Sequence, residues 1–208
     1  VLSNAATASA IAVAVLWMRV RSGSEQADTR IELRGAARLN SLLQLAYVAH
    51  YACCNADTWA SEIGVLSSAQ PRLITDGRPV RTGTNGGVSL LGLGASVAGG
   101  LVIGATYVLS GALLLPRPAD GGAPSAEWVA LALGPSAGLF GSLADSALGA
   151  LLQYSGYCPR RKCVVDVPSP GVQHITGMAV LSNSGVNFVS SALTAACAAG
   201  LVALLSRD

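Results

Sequence analysis

Two acidic stretches carry the chemistry most open to reading. NADTWASEIG, Asn55 to Gly64, sets Asp57 and Glu62 against apolar neighbours. On a helix Asp57 shares a face with Ser61, and Thr58 with Glu62. Carboxylates at membrane depth are costly, so they usually face a cavity or an ion. Hard oxygen donors suit Mg2+, which is held by one or two carboxylates together with substrate phosphates. The plainer alternative is a helix-end acid pair in water. The second stretch, GLFGSLADSALGALLQ from Gly138 to Gln153, holds one charge, Asp145, with Ser142, Ser146 and Gly149 on the same helical face. Two bare acids would repel, so a cation shared by Asp57 and Asp145 is the economical arrangement. Otherwise Asp145 is neutral and hydrogen-bonded to a neighbouring helix.

Phosphate-binding chemistry is suggested by the loop PRLITDGRPVRTGTNGG, Pro71 to Gly87. Arg72, Arg78 and Arg81 supply positive charge, and Thr84, Asn85, Gly86 and Gly87 lead into an apolar run. Glycine-rich backbone at a helix start offers N–H groups and a positive dipole end to an anion. The competing reading is a basic loop gripping lipid headgroups. A last polar stretch, Tyr154 to Asn183, contains Arg160, Arg161, Lys162, Asp166 and His174. His174 could donate to phosphate or assist proton transfer. Asn183 and Asn187 lie one turn apart and could complete a ligand shell. The basic run near 160 reads as an interfacial anchor, and His50 as a satisfied core histidine.

These residues must be positioned by membrane helices. Only 12% of the 208 residues are charged, against roughly 25% in an ordinary globular domain. Val1 to Met18, the run between Arg81 and Arg117, and Ser182 to Ser206 carry no charge, and a span needs about 20 apolar residues. The chain is therefore expected to be an all-α, polytopic membrane helix bundle forming one domain. Five segments are expected: Asn4 to Met18, Ala37 to Ala56, Gly86 to just before Pro116, Glu127 to Gln153, and Gly185 to Leu205. The third is long for one crossing, which predicts tilt or a partly re-entrant start. Abundant glycine suits close helix packing in lipid. Too little polar surface remains to coat a soluble bundle.

Alternation of the segments puts Ile63 to Asn85 and Tyr154 to Asn183 on one face, together with nearly every candidate for chemistry. The other face holds a mixed-charge linker (Arg19, Arg21, Glu25, Asp28, Arg30, Glu32, Arg34, Arg38) and the stretch Arg117 to Ala126. Positive charge is nearly even between the faces, so orientation stays open. The net charge of +2 suggests no nucleic-acid partner. The five cysteines, Cys53, Cys54, Cys158, Cys163 and Cys197, lack metal-ligand spacing and read as small buried residues. Acids for a metal, arginines and glycines for phosphate, and a bordering lipid phase point to phosphoryl or nucleotidyl transfer to a lipid-borne acceptor. Such chemistry needs positioning and charge neutralisation more than a covalent nucleophile.

The motifs NADTWASEIG, PRLIT, GTNGGVS and HITGMAVLSNSGVN resemble those of transmembrane protein 19 and its relatives, long catalogued as integral membrane domain of unknown function 92. The likeness covers nearly the whole chain. VLSNAATAS resembles the start of an internal helix of that family, which implies an N-terminal truncation with two or more helices upstream. The family includes the plant phytyl-phosphate kinase, and it faintly resembles dolichol kinases and phosphatidate cytidylyltransferases. By resemblance its acid motif falls on Asp57, Thr58, Ser61 and Glu62, and its glycine motif on Thr84, Asn85, Gly86 and Gly87. Its second acid motif falls on Asp145 and Ser146, and its last on His174, Asn183 and Asn187. Ala56 departs from the pattern, since relatives often have Gly there, and the loop from Cys158 to Val167 is peculiar to this chain.

The resemblance implies a Mg2+-dependent kinase acting on an isoprenyl or phytyl monophosphate, with a nucleoside triphosphate as donor. Asp57 and Asp145 would hold the metal, Glu62 would join them among the catalytic residues, and His174 would polarise a phosphate oxygen. Arg72, Arg81 and the Gly86 turn would bind phosphates. The expected partners are membrane lipids and the isoprenyl phosphate, and the expected location is an integral membrane one, in the endoplasmic reticulum or the chloroplast envelope. A small-solute or ion transporter and a non-catalytic membrane protein are the rival readings. Oligomeric state, nucleotide and acceptor chain length stay open.

Overall fold

The computed structural model describes residues 2–22, 31, 33, 38–114 and 128–206. Glu25, Asp28, Arg30, Glu32, Arg34, Arg117 and Glu127, which figured in the loop and segment expectations, lie outside the described residues. Among those described are five helices: α1 Leu2–Ser22, α2 Arg38–Gly64, α3 Leu90–Leu114, α4 Trp128–Leu152 and α5 Asn183–Leu205. The protein is a mostly helical bundle, as its apolar runs require. Two corrections concern boundaries. Helix α2 does not stop at Ala56 but continues through DTWASEIG, so Asp57 and Glu62 are helical. The long third segment does not begin as helix: Gly86 to Ser89 lies outside α3, which starts at Leu90.

Short strands, which the sequence reading did not foresee, organise the two loops of the polar face. Strand β1 (Arg72–Leu73) pairs antiparallel with β2 (Gly87–Val88). Strands β3 (Ser155–Cys158), β4 (Cys163–Val165) and β5 (Gln173–Thr176) form a small sheet in the order β4-β3-β5.

Glycine and alanine set how the helices meet. A Cβ on Gly99 would lie 3.1 Å from the Ala56 Cα, and one on Gly64 would lie 3.3 Å from the Gly92 Cα, which fixes α2 and α3 as antiparallel neighbours. Gly100 and Gly104 press against the backbone of Gly134 and Ala130 in the same way, so α3 and α4 are antiparallel too. Such contacts exist because nothing larger than hydrogen occupies the seam. Gly138 faces the methyl of Ala56, so this alanine fills space against α4. A core of Leu45, Val48, Ala130 and Val202 closes the bundle toward the far end.

Outward, α3 and α5 present large apolar side chains such as Leu101, Leu109, Leu193 and Leu204. Both helices are long and apolar enough to cross a membrane, over Leu90–Leu113 and Asn183–Leu205. The 23 residues of α5, at 1.5 Å per residue, reach about 35 Å, more than the roughly 30 Å of hydrocarbon. Helices α2 and α4 have similar length but carry the acids. The C-terminal ends of α2 and α4, the N-terminal ends of α3 and α5, and the stranded loops all gather at one end of the bundle.

Candidate functional site

At that end lies a cavity of about 390 Å³. Helix α2 gives it Asp57, Thr58, Ser61 and Glu62, and α4 gives Ser142, Asp145, Ser146 and Gly149. Asn183 and Asn187 come from the first turns of α5, Ser89 and Gly92 from around the start of α3, and Thr84, Asn85, Gly86 and Gly87 from the loop between. Asp57 and Glu62 both line the cavity because the last two turns of α2 present a broad arc to it, Asp57 with Ser61 on one part and Thr58 with Glu62 on the next. Ser61 donates its hydroxyl hydrogen to the Asp57 carbonyl at 3.0 Å and so turns back onto the helix.

Below the cavity a recess of about 10 Å³ is walled by Cys53, Cys54, Asp57, Asp145, Asn187, Ser190 and Ser191. Asp57, Asp145 and Asn187 line both spaces. Ser190 donates to Asp145 Oδ2 at 2.9 Å. With its amide nitrogen turned toward the acid, Asn187 donates to the same oxygen at 3.2 Å and to the Asn183 carbonyl at 3.0 Å. One carboxylate oxygen of Asp145 is thus held by α5.

The electrostatics of the cavity are one-sided. Among its lining residues are three carboxylates, Asp57, Glu62 and Asp145, and no Lys, Arg or His. Its countervailing positive potential comes from backbone, because α3 and α5 direct their N-terminal ends toward it. Among the described residues no three His, Cys, Asp or Glu side chains converge as a metal site. A cation here would complete its shell with hydroxyl, amide, water or ligand oxygens.

The glycine turn is a wall rather than an open cradle. Gly86 has φ +78°, and a Cβ there would strike the Ala150 methyl and come within 2.7 Å of the Ser146 carbonyl oxygen. The turn therefore lies flat on α4, as only glycine permits. Its N–H groups are largely committed within the fold: Thr84 N–H donates to the Arg81 carbonyl at 3.1 Å, and Gly87 N–H to the Thr84 carbonyl at 2.9 Å. Asn85 N–H donates to Ser155 Oγ at 3.0 Å. The Asn85 amide donates to the Tyr154 carbonyl at 3.1 Å and to Asp166 Oδ1 at 3.2 Å.

A family model described as integral membrane protein DUF92 matches residues 1–195. The chain belongs to this family. This DUF92 chain is 50% identical over 147 residues to Protein PGR of Arabidopsis thaliana, an overlap of 71% of the chain and 50% of that protein. It is 34% identical over 113 residues to an uncharacterized membrane protein of Methanocaldococcus jannaschii, covering 54% of the chain and 41% of that protein. The chain thus spans about half the length, or less, of these curated relatives. No solved structure matches it. Family membership makes the protein an integral membrane one.

Within this DUF92 fold, Asp57, Glu62, Thr84, Asn85, Gly86, Gly87, Asp145, Asn183 and Asn187 line the cavity, as do Thr58, Ser61, Ser142, Ser146 and Gly149, which the sequence reading sets on the faces of the acids. Arg72, Arg81 and His174 do not. Arg72 donates to the Gly77 carbonyl at 2.8 Å within its own loop. Arg81 lies over the ring of Tyr157, 3.9 Å from its centroid. His174 Nε2 donates to the Gly177 carbonyl at 2.8 Å. Sequence reasoning passed over Ser89, Gln153, Ser190 and Ser191. The serine pair was the findable one, since it sits one turn beyond Asn187 in an otherwise apolar helix. His50 is fully buried, as expected, with the Cys54 sulfur at 3.7 Å.

Proposed function

We propose that this chain carries the membrane-face site of a Mg2+-dependent kinase that phosphorylates an isoprenyl or phytyl monophosphate, with a nucleoside triphosphate as donor. The observation that carries the reading is a cavity at one end of the helix bundle that is lined by three carboxylates and by no Lys, Arg or His. Anionic phosphates enter such a space only if cations neutralise it. The hard oxygen donors of Asp57, Asp145, Ser146 and Asn187 fit Mg2+, which keeps waters and shares phosphate oxygens rather than demanding a full protein shell. When bound, the ion would neutralise charge on the transferring phosphoryl group.

The residues then divide the work. Asp57 and Asp145 hold the cation, and Ser190 and Asn187 fix the orientation of Asp145. Glu62 stands at the exposed mouth, where the donor enters. The Gly86 turn forms a rigid wall, and the starts of α3 and α5 offer positive dipole ends to phosphate. Arg72, Arg81 and His174 brace the loops that frame the mouth. An acceptor phosphate oxygen attacks the terminal phosphorus of the donor, and the bond to the bridging oxygen breaks. The products are the isoprenyl diphosphate and the nucleoside diphosphate. No covalent enzyme intermediate is required.

The test is transfer of radiolabelled terminal phosphate to a panel of prenyl monophosphates by the full-length protein in lipid. Label in the diphosphate, lost in Asp57→Asn, supports the reading, and absence of transfer across the panel overturns it. A cation transporter is the second reading, because the same base-free acids suit a cation. A transporter site belongs near the midplane, whereas Asp57 and Asp145 lie about two turns from one end of their helices. Cation flux in vesicles without nucleotide would favour it.

A further inference from the structure

The hairpin β3–β4 sets two cysteines face to face. Cys158 and Cys163 are direct partners in the antiparallel register, as the last pair before the turn. Both carry free thiols and both are half-buried. Residues directly opposite in an antiparallel pair point their side chains to the same side, with Cβ atoms about 4.5–5.5 Å apart. That borders the separation a disulfide spans, so closure requires a small backbone adjustment that draws β3 and β4 together at this pair. The other thiols have no such partner: Cys53 and Cys54 are adjacent on α2, and Cys197 lies on α5. Sequence alone reads Cys158 and Cys163 as small buried residues, whereas both are only half-buried.

The hairpin is also the clamp on the glycine turn. Strand β3 supplies the Ser155 hydroxyl that accepts from Asn85 N–H, and the Tyr157 ring under Arg81. Tyr154, just before β3, and Asp166, just after β4, hold the Asn85 amide. Asn85 itself lines the cavity. A covalent link between β3 and β4 would tie together the two sides of this grip.

We infer that Cys158 and Cys163 form a reversible disulfide with a small-molecule disulfide as oxidant, and that this staple tightens the hairpin's hold on the Asn85–Gly86 turn. The exchange balances without another reactant. One protein thiolate attacks the external disulfide and releases one thiol. The facing thiolate then attacks the protein-side sulfur of the mixed disulfide and releases the second thiol. Two protein thiols lose two electrons and two protons, and the external disulfide gains them. The turn between the cysteines carries Arg160, Arg161 and Lys162, all exposed, a cationic tip that draws a carboxylate-bearing oxidant such as glutathione disulfide. Little chain is enclosed between the two sulfurs, so the bond adds little loop entropy and is of the labile, reducible kind.

The experiment places the full-length protein in lipid nanodiscs, equilibrates it across reduced-to-oxidised glutathione ratios, blocks free thiols with a maleimide and maps the peptides by mass. The expected product is a peptide joining Cys158 to Cys163, about 2 Da lighter than its dithiol form, restored by dithiothreitol. Cys158→Ser should leave Cys163 as a glutathione adduct. Hydrogen exchange over residues 83–88 should slow at least severalfold on oxidation of the wild-type protein. Both cysteines alkylated at every ratio, or either one paired with Cys53, Cys54 or Cys197, overturns the disulfide. A disulfide that leaves exchange at 83–88 unchanged overturns the tightening. None of these readouts requires transfer activity, so they stand or fall apart from the kinase reading.

Discussion

Ser190 on α5 donates its hydroxyl hydrogen to Asp145 on α4 at 2.9 Å, and this bond ties the orientation of a half-buried acid to a helix that contributes no acid of its own. Asn187 reaches the same oxygen from one turn earlier. Asp57 and Asp145 line the same recess. Groups that orient a metal ligand typically govern affinity by 10–100-fold when removed. Ser190→Ala should therefore weaken Mg2+ dependence by roughly that factor while the protein stays folded in membranes. A Mg2+ titration of phosphoryl transfer, or Mn2+ binding followed by electron paramagnetic resonance, measures it.

Asp57→Asn removes a carboxylate from the place where cavity and recess meet. It should cost roughly 100-fold or more in transfer, the scale of losing a group that stabilises transition-state charge. Helical circular dichroism and detergent stability should stay native. Full activity with native metal dependence would remove Asp57 from the site.

Arg72, Arg81 and His174 form a contrasting set. Each is engaged away from the cavity. Arg72→Ala and His174→Ala should shift the Mg2+ requirement by less than about 3-fold, well under the effect of a group that orients a metal ligand. A loss of Mg2+ response equal to that of Asp57→Asn would place these side chains on the phosphates after all. Arg81→Ala should loosen the β3–β4 hairpin, seen as faster hydrogen exchange at residues 155–158.

Gly86→Ala tests the turn. The substitution forces an L side chain into φ +78° and against Ala150 and the Ser146 carbonyl. Holding a residue in a sparsely populated region costs about 1–3 kcal/mol, and the turn must also lift from α4. Lower thermal stability and raised proteolysis between residues 76 and 90 are the expected readouts.

Gly100→Val tests the seam between α3 and α4. A Cβ at Gly100 would collide with the Gly134 carbonyl, a backbone atom that cannot turn aside. Overpacking of this kind costs about 1–3 kcal/mol or more. The midpoint of unfolding in mixed detergent should fall, whereas Gly94→Ala, with open space around it, should leave it unchanged.

By itself the sequence determined the membrane class, the helical segments to within several residues, and the face that carries Asp57, Glu62, Asp145, Asn183 and Asn187. These are local properties. Charge-free length decides what can cross a bilayer, and helical periodicity decides which residues share a face. The alternation of spans then sends both polar loops to one side.

Only tertiary structure decided what meets what. Periodicity gives a face but not the rotation of a helix or its register against a neighbour, and here those follow from backbone contacts at Gly99, Gly100 and Gly134. That register brings Asp57 level with Asp145 and sets Ser190 beneath it. Loop side chains escape sequence reading for a related reason. Arg72 and Arg81 can reach many partners from a flexible stem, and in the folded loop they meet the Gly77 carbonyl and the Tyr157 ring. Strand pairing in a few-residue hairpin leaves almost no periodic signal, so the facing of Cys158 and Cys163 became visible only once the chain had turned back on itself.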